Sequence, residues 1–554
     1  MNKKKIYSAI AFSQLILAIG LSATTLASCS DDDITGDPAR DWAGTTTSFN
    51  PTDAKSFGTY YMPAIGRVGD PMPFFDQKAG EFKVLYLQEF DNNMSHRFHP
   101  IWGVSTKDGC NYQSLGEVLP FGSNDYVQDA ALGTGCAYEK DGVYYIFYTG
   151  HNGNCQNREV ILRATSTDFK NWTKDELWAL NGPDYGYSSN DFRDPQVFVA
   201  DDGLYHMVIS TYPKNGGDPC FAEFKSSDLK TWDHVGKFKM IWDRMLECPD
   251  IFKMGDYWYL VYSESFRASW SRKVKYMMAT SYDALKACFN DPGANWPKDG
   301  REGVLDTRAF YAGKTASNGT DRFIWGWTPF RSGADIHEKN INVGAGDGNE
   351  PNWSGALVCH KVIQHSDGTL SLGAVPAMAA KYDKQQTVNV MSSKGYDNGI
   401  LKGDDAYVLY NRLGNCNHIS FTVTTSNNWD KFGISFVRST DEEFYYTLVV
   451  NPENENLRKV NFEQEGYRIK IKDNGEKEKI NGKGFVEAAD GYGFSRPADN
   501  VYNIDIYTDN SVLVMYINDI VCYTQRIYGI QKNCWSINNY GGSITVNNVR
   551  VSQQ

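Results

Sequence analysis

Apolar and aromatic residues recur along the chain in short alternating runs, and five such runs repeat at a spacing of about 60 residues. They cover 82–87, 144–149, 204–209, 257–262 and 322–327, and each is rich in aromatic and branched side chains, as β-strands are. Turn signals precede four of them: Ala79-Gly80, Asp141-Gly142, Asp202-Gly203 and Gly255-Asp256. A second element follows each of the first four, ending in Asp108, Asp168, Asp228 and Asp283. Its Ser-x-Asp character suits a turn in which side chains bond the local backbone. A third element precedes each aromatic strand by about ten residues. It reads Gly69-Asp70-Pro71, Gly133-Thr134-Gly135, Arg193-Asp194-Pro195, Glu247-Cys248-Pro249 and, more weakly, Asp306-Thr307-Arg308. One repeat therefore holds several strands, the pattern of four-stranded sheets repeated radially. Five repeats predict a five-bladed β-propeller over residues 51–378. Residues 379–554 keep alternating strands, such as 500–507 and 511–517, but lose the blade signature, which predicts a β-sandwich. The fold class is all-β, with the sandwich expected to buttress the propeller.

Composition agrees, since aromatics make up 14% of the chain and strands favour them. Aromatic rings also stack on sugar faces. The net charge of −12, without any Lys/Arg-rich run, excludes a nucleic-acid binder. Residues 1–28 read as an export signal: Lys3, Lys4 and Lys5, then a mostly apolar run to Leu26. Leu26-Ala27-Ser28-Cys29 resembles a bacterial lipobox, which implies cleavage before Cys29 and acylation of its thiol. The following Ser30-Asp31-Asp32-Asp33 resembles the acidic signal that sends lipoproteins of Bacteroidota to the cell surface. An outer-membrane lipoprotein is therefore expected, surface-exposed or facing the periplasm, with residues 29–50 as a polar tether. No later apolar run is long enough to span a bilayer. The ten cysteines from Cys110 to Cys534 form no C-x-x-C pair or His/Cys cluster, so no metal and no cofactor is expected. His96, His99 and His151 lack ligand spacing and read as surface or pocket histidines.

In a propeller the innermost strands converge on the axis, so residues opening each repeat ring one end of the channel. That predicts a meeting of Asp70, Asp194 and Glu247, which are far apart in sequence. Nearby prolines hold the approach extended. Two carboxyls facing one glycosidic bond suffice for hydrolysis, one attacking the anomeric carbon and the other protonating the leaving oxygen. A third can hold sugar hydroxyls. Crowding drives their pKa values apart and leaves one group protonated.

The sequence resembles glycoside hydrolase family 32, the invertase, inulinase and levanase family. The matching stretches include Gly69-Asp70-Pro71, Trp102-Gly103-Val104-Ser105, Gly133-Thr134-Gly135-Cys136, Phe192-Arg193-Asp194-Pro195, Glu247-Cys248-Pro249-Asp250, Tyr311-Ala312 and Ile324-Trp325-Gly326-Trp327. The resemblance implies Asp70 as nucleophile, Glu247 as acid/base and Asp194 as transition-state stabiliser, supported by Arg193. It implies that Gln88, Trp102, Thr134 and Trp327 line the sugar pocket. The family usually carries Asn on both sides of its Asp-Pro, where this chain has Gly69 and Met72. That form and the acidic start look most like surface fructanases of Bacteroidota. The expected partner is a fructan, with levan favoured over inulin and an endo mode included. The alternatives are an exo-acting β-fructosidase or invertase, a non-catalytic fructan-binding protein and a five-bladed arabinan hydrolase, many of which invert.

Overall fold

A computed structural model describes residues 57–554 except 64–65, 90–98, 241–244, 265–272, 291–300, 332–350, 429, 439–443, 452–458, 472–476, 482–491, 495 and 528. The expected signal segment, Cys29, the tether and His96 lie outside the described residues.

Five groups of four antiparallel strands follow one another. Blade one holds β1 (Arg67–Asp76), β2 (Glu81–Glu89), β3 (Ile101–Thr106) and β4 (Gln113–Leu119). Blade two holds β5 (Ala131–Lys140), β6 (Val143–His151), β7 (Glu159–Ser166) and β8 (Thr173–Leu180). Blade three holds β9 (Tyr187–Val199), β10 (Tyr205–Pro213), β11 (Cys220–Ser226) and β12 (Asp233–Lys239). Blade four holds β13 (Leu246–Met254), β14 (Tyr257–Glu264), β15 (Val274–Ala279) and β16 (Arg301–Val304). Blade five holds β17 (Tyr311–Ser317), β18 (Arg322–Arg331), β19 (Pro351–Gln364) and β20 (Leu370–Gly373). This is the five-bladed propeller that the repeats predict. Blades one and five form one eight-stranded sheet, because β1 pairs with β19 at Val68↔Gly355. A hydrogen-bonded seam between the first and last blades closes the ring.

Local chemistry explains the repeat. Asp141 and Gly142 both adopt positive φ in the two-residue turn between β5 and β6, as a primed hairpin requires. The turns after the third strands of blades one to three form one device: Asp168 Oδ1 accepts from Lys170 N and Asn171 N at 2.9 and 2.8 Å, and Asp228 Oδ1 does the same for Lys230 N and Thr231 N at 2.8 and 2.9 Å. In blade one Thr106 and Asp108 play these parts. The fourth copy departs from the expectation. Ser281 Oγ accepts from Ala284 N at 3.1 Å and opens a helix over Tyr282–Asn290, whose apolar face packs into the blade.

Beyond residue 378 the chain builds a β-sandwich with its own core, including Ile419, Phe421, Ile434, Ile504, Trp535 and Ile537. Its last strand, Cys534–Gln553, pairs with Ile400–Tyr410 on both sides of Gly541 and Gly542, with Phe432–Arg438 before these glycines and with Cys416–Thr425 after them. Among the described residues no helix is long and apolar enough to cross a membrane.

Candidate active site

All five inner strands break register at the same place. The bulges fall between Gly69 and Met72, Gly133 and Gly135, Arg193 and Gln196, Glu247 and Asp250, and Tyr311 and Lys314. The extra residue bends the strand and re-aims its side chain. Asp70, Asp194, Cys248 and Ala312 adopt φ of 21°, 59°, 51° and 53° there, a region that non-glycine residues rarely enter. Asp70, Thr134, Asp194, Cys248 and Ala312 thus form one layer. Arg193, Glu247 and Tyr311 lie one residue earlier, in a second layer. Glu247 is therefore out of phase with the two aspartates, whereas the sequence reading put all three acids in one phase. The fifth blade's equivalent is Ala312, not the Asp306 segment, which faces the sandwich.

Both layers are joined by hydrogen bonds. Asp70 is buried and accepts from Thr134 Oγ1 at 2.6 Å and from Trp327 Nε1 at 2.9 Å. Glu247 Oε2 accepts from the Tyr311 hydroxyl at 2.7 Å, and Oε1 from Arg193 Nη2 at 3.4 Å. The Tyr311 and Trp327 rings meet edge to face with centroids 5.5 Å apart, which links the Asp70 and Glu247 systems. Asp194 Oδ2 accepts from the Cys248 N–H at 2.8 Å, and its own N–H donates to Thr149 Oγ1 at 3.1 Å. Three acids from blades one, three and four are therefore held in one buried network.

Burial raises the Glu247 pKa to about 7, helped by the charges of Asp194 and Asp70 and opposed by Arg193 and Tyr311. Burial also raises Asp194, to about 6, against the pull of Arg193 and the Cys248 N–H. Arg193 is itself held by Glu159 at 3.1 Å and Asp191 at 3.0 Å. Burial opposes ionisation of Glu159, but Arg193 and His151 hold its carboxyl down to about 2.

Models of known families decide the relationship. The model described as "Glycosyl hydrolases family 32 N-terminal domain" matches residues 61–373, and "GH32, BT1760-like, C-terminal domain" matches 368–551. The chain belongs to glycoside hydrolase family 32. A sucrose-6-phosphate hydrolase of Zymomonas mobilis subsp. mobilis is 27% identical over 233 residues, 37% of this chain and 42% of that protein. The chain thus spans less than half the length of that relative. The sucrose-6-phosphate hydrolase of Lactobacillus gasseri shares the fold at a TM-score of 0.67 and 16% identity, over 92% of this chain and 96% of that one. The Bombyx mori β-fructofuranosidase BmSUC1 does so at 0.61 and 17%, over the same shares.

Within this family 32 chain, the residues expected to line the sugar pocket fall in different places. Thr134 and Trp327 are buried donors to Asp70. Gln88 is buried on β2, and its amide nitrogen donates to the Glu89 carbonyl at 3.3 Å. Trp102 lies on β3, two strands out from the inner one, half-buried against the apolar core. His99 and His151 are both buried, not surface groups. His99 meets Glu89 at 2.8 Å and lies against the Trp353 ring at 4.6 Å; His151 Nδ1 is 3.4 Å from Glu159.

The two departures from the family 32 pattern have packing causes. A Cβ on Gly69 would come within 2.5 Å of the Trp353 ring, so Trp353 occupies the space a side chain would need. The Met72 sulfur accepts from Gly135 N at 3.1 Å and ties the bulges of blades one and two. Trp353 and Lys314 are site residues that sequence reasoning missed, and Tyr311 lay in a matched stretch but was given no role; aromatic residues in strands read as core. Among the described residues, Asp306, His360 and Cys522 are the group with metal-ligand chemistry. They are buried where propeller meets sandwich, and their polar atoms are engaged: Asp306 takes Thr307 N at 2.7 Å and Thr524 N at 2.8 Å, and His360 Nδ1 pairs with the Tyr516 hydroxyl at 2.7 Å.

Proposed function

We propose that the protein is a retaining hydrolase of β-fructosidic bonds in fructans. The observation that carries this reading is the union of Asp70, Asp194 and Glu247 in one buried network, with Glu247 raised to about 7. At working pH Glu247 holds the proton that the leaving oxygen needs. Asp70, oriented by Thr134 and Trp327, attacks the anomeric carbon as the glycosidic C–O bond breaks and Glu247 gives up its proton. Water then displaces the Asp70 carboxylate, and its proton returns to Glu247. Asp194 holds fructosyl hydroxyls, and Arg193 steadies the charge of both neighbours.

The reading extends to a polymeric substrate, levan over inulin, cut internally. The loop before β5 lies at the strand starts, the end that carries the acids. Asn152 Nδ2 pins it by donating to the carbonyls of Asp125 at 2.9 Å and Val127 at 2.7 Å. The pinned loop presents Tyr126, 88% exposed, as a platform for a sugar several units from the cut. Anchoring at the outer membrane through acylated Cys29 belongs to the same proposal and rests on the Leu-Ala-Ser-Cys ending. Incubation with levan, inulin and sucrose, with the products sized and the anomer of the first product read by NMR, tests the activity. Oligosaccharides of retained configuration from levan are expected, none from Asp70→Asn, which should still bind. An inverted product, or no release from any fructan, overturns the reading. Tyr126→Ala should raise KM for levan about two- to tenfold and leave KM for sucrose unchanged. Labelled palmitate should enter the wild type and not Cys29→Ala.

A further inference from the structure

Below the acid layer, three residues into each bulge, lie Gln196, Asp250 and Lys314. Lys314 is buried, 2% exposed, on β17. Its ammonium donates to the Gly135 carbonyl in blade two at 2.8 Å, so the side chain crosses from the fifth blade to the second. Among the described residues it has no direct ion pair and no other hydrogen-bond partner. Asp250 is already saturated by Thr315, through N at 2.8 Å and Oγ1 at 2.6 Å, and by Gln196 at 3.1 Å. A buried ammonium with three donors and one acceptor is costly unless negative charge surrounds it.

We propose that Lys314 is a positioning residue whose positive charge, sealed beneath the acids, lets Asp194 carry negative charge within the crowded acid layer. The neighbouring elements supply a matching set. Asp70 comes from β1, Asp194 and Arg193 from β9, Glu247 and Asp250 from β13. Arg322 on β18 sits beside Asp250, and the thiols of Cys136 and Cys248 stay protonated through burial. Arg193 is bonded to Glu159, Asp191 and Glu247 and also pulls on Asp194 from the side; Lys314 adds a second cation, from beneath. Its charge pulls the carboxyls of Asp194 and Asp250 downward. The bond to Gly135 adds a second effect, since it steadies the bulge from which Thr134 reaches Asp70.

The inference rests on the hydrolase reading, and the test separates the two. Lys314→Gln keeps an N–H for the Gly135 carbonyl without the charge; Lys314→Met removes both. Without the charge, Asp194 and Asp250 hold their protons to higher pH. The acidic limb of the kcat/KM profile should then move up by about one unit in both variants, roughly a tenfold loss at fixed pH on that side. A lower profile with unmoved limbs, or a shift in the Met variant alone, assigns Lys314 to the hydrogen bond and overturns the charge role. Carboxyl 13C titration of selectively labelled wild type and Lys314→Gln reads the same displacement without substrate. An unmoved titration overturns this inference even if no fructan is cleaved, and a moved one sustains it.

Discussion

At the scale of single residues, burial makes two carboxyls hold their protons to unusually high pH, and the proton on Glu247 is the one the mechanism uses. Asp194 at about 6 and Glu247 at about 7 titrate as a coupled pair, so kcat/KM should follow a narrow bell on the acidic side of neutrality. The same shift destabilises the fold. Between its ordinary value of 4.5 and about 7, Glu247 binds a proton more tightly folded than unfolded. Its contribution is therefore fully present below about 4.5 and is lost as pH rises through about 7. Glu247→Gln should abolish hydrolysis yet stabilise the protein at pH ~8 by up to about 3 kcal/mol, with no gain at pH ~4. Thermal unfolding of both proteins at the two pH values checks this; an equal difference at both pH values would refute it. The acids themselves were legible, because their Asp-Pro and Glu-Cys-Pro motifs each precede an aromatic strand by about ten residues. The resemblance also singled out Thr134 and Trp327, but as pocket lining and not as donors to Asp70; Tyr311 lay in a matched stretch without a role, because an aromatic ring in an apolar strand reads as packing until coordinates show which way its polar atom points.

At the scale of strands, the bulge is the functional element, and blade one shows how tightly it is built. β1 lies beside β19, and Gly69 leaves just enough room for the Trp353 ring. Gly69→Asn, which restores the residue usual in the family, should cost more than about 2 kcal/mol because side chain and ring claim the same volume. Trp353→Ala should restore much of that loss in the double variant, giving a coupling energy of about 1–3 kcal/mol by denaturant unfolding. Additive effects would mean that the two positions do not compete. The interval between aromatic strands was enough to read blade number and order, since each blade carries the same strand and turn chemistry. Three features escaped it. Asp306-Thr307-Arg308 matched the acidic motif only in spacing, the fourth Ser-x-Asp segment had the makings of a helix cap, and the β1–β19 pairing joins residues with no sequence relation.

At the scale of the whole molecule, the sandwich reaches the catalytic layer through one side chain. Arg526, 1% exposed, donates from Nη2 to the Thr328 carbonyl at 2.9 Å, from Nε to the Pro329 carbonyl at 2.7 Å, and from Nη1 to Ser511 Oγ at 2.7 Å. Thr328 directly follows Trp327, whose indole orients Asp70. Nearby, Thr307 Oγ1 donates to the Thr524 carbonyl at 2.5 Å and Asp306 accepts from the Thr524 N–H, and from blade five His360 pairs with the Tyr516 hydroxyl and Ser371 Oγ donates to the Asp519 carbonyl, so several contacts fasten the propeller to the sandwich. Composition and periodicity divided the chain into propeller and sandwich, but an Arg within an alternating strand gives no sign of which carbonyls it will meet. Arg526→Met keeps the apolar stem and strands two buried carbonyls. It should cost on the order of 3–5 kcal/mol, and calorimetry should show propeller and sandwich melting apart where the wild type melts once. Because the loosened strand carries Trp327, kcat on sucrose should fall several-fold more than KM changes. A single transition at the wild-type temperature with kcat intact would show the sandwich to be a passenger, and the seam at β1 and β19 would then suffice to hold the ring that brings the acids together.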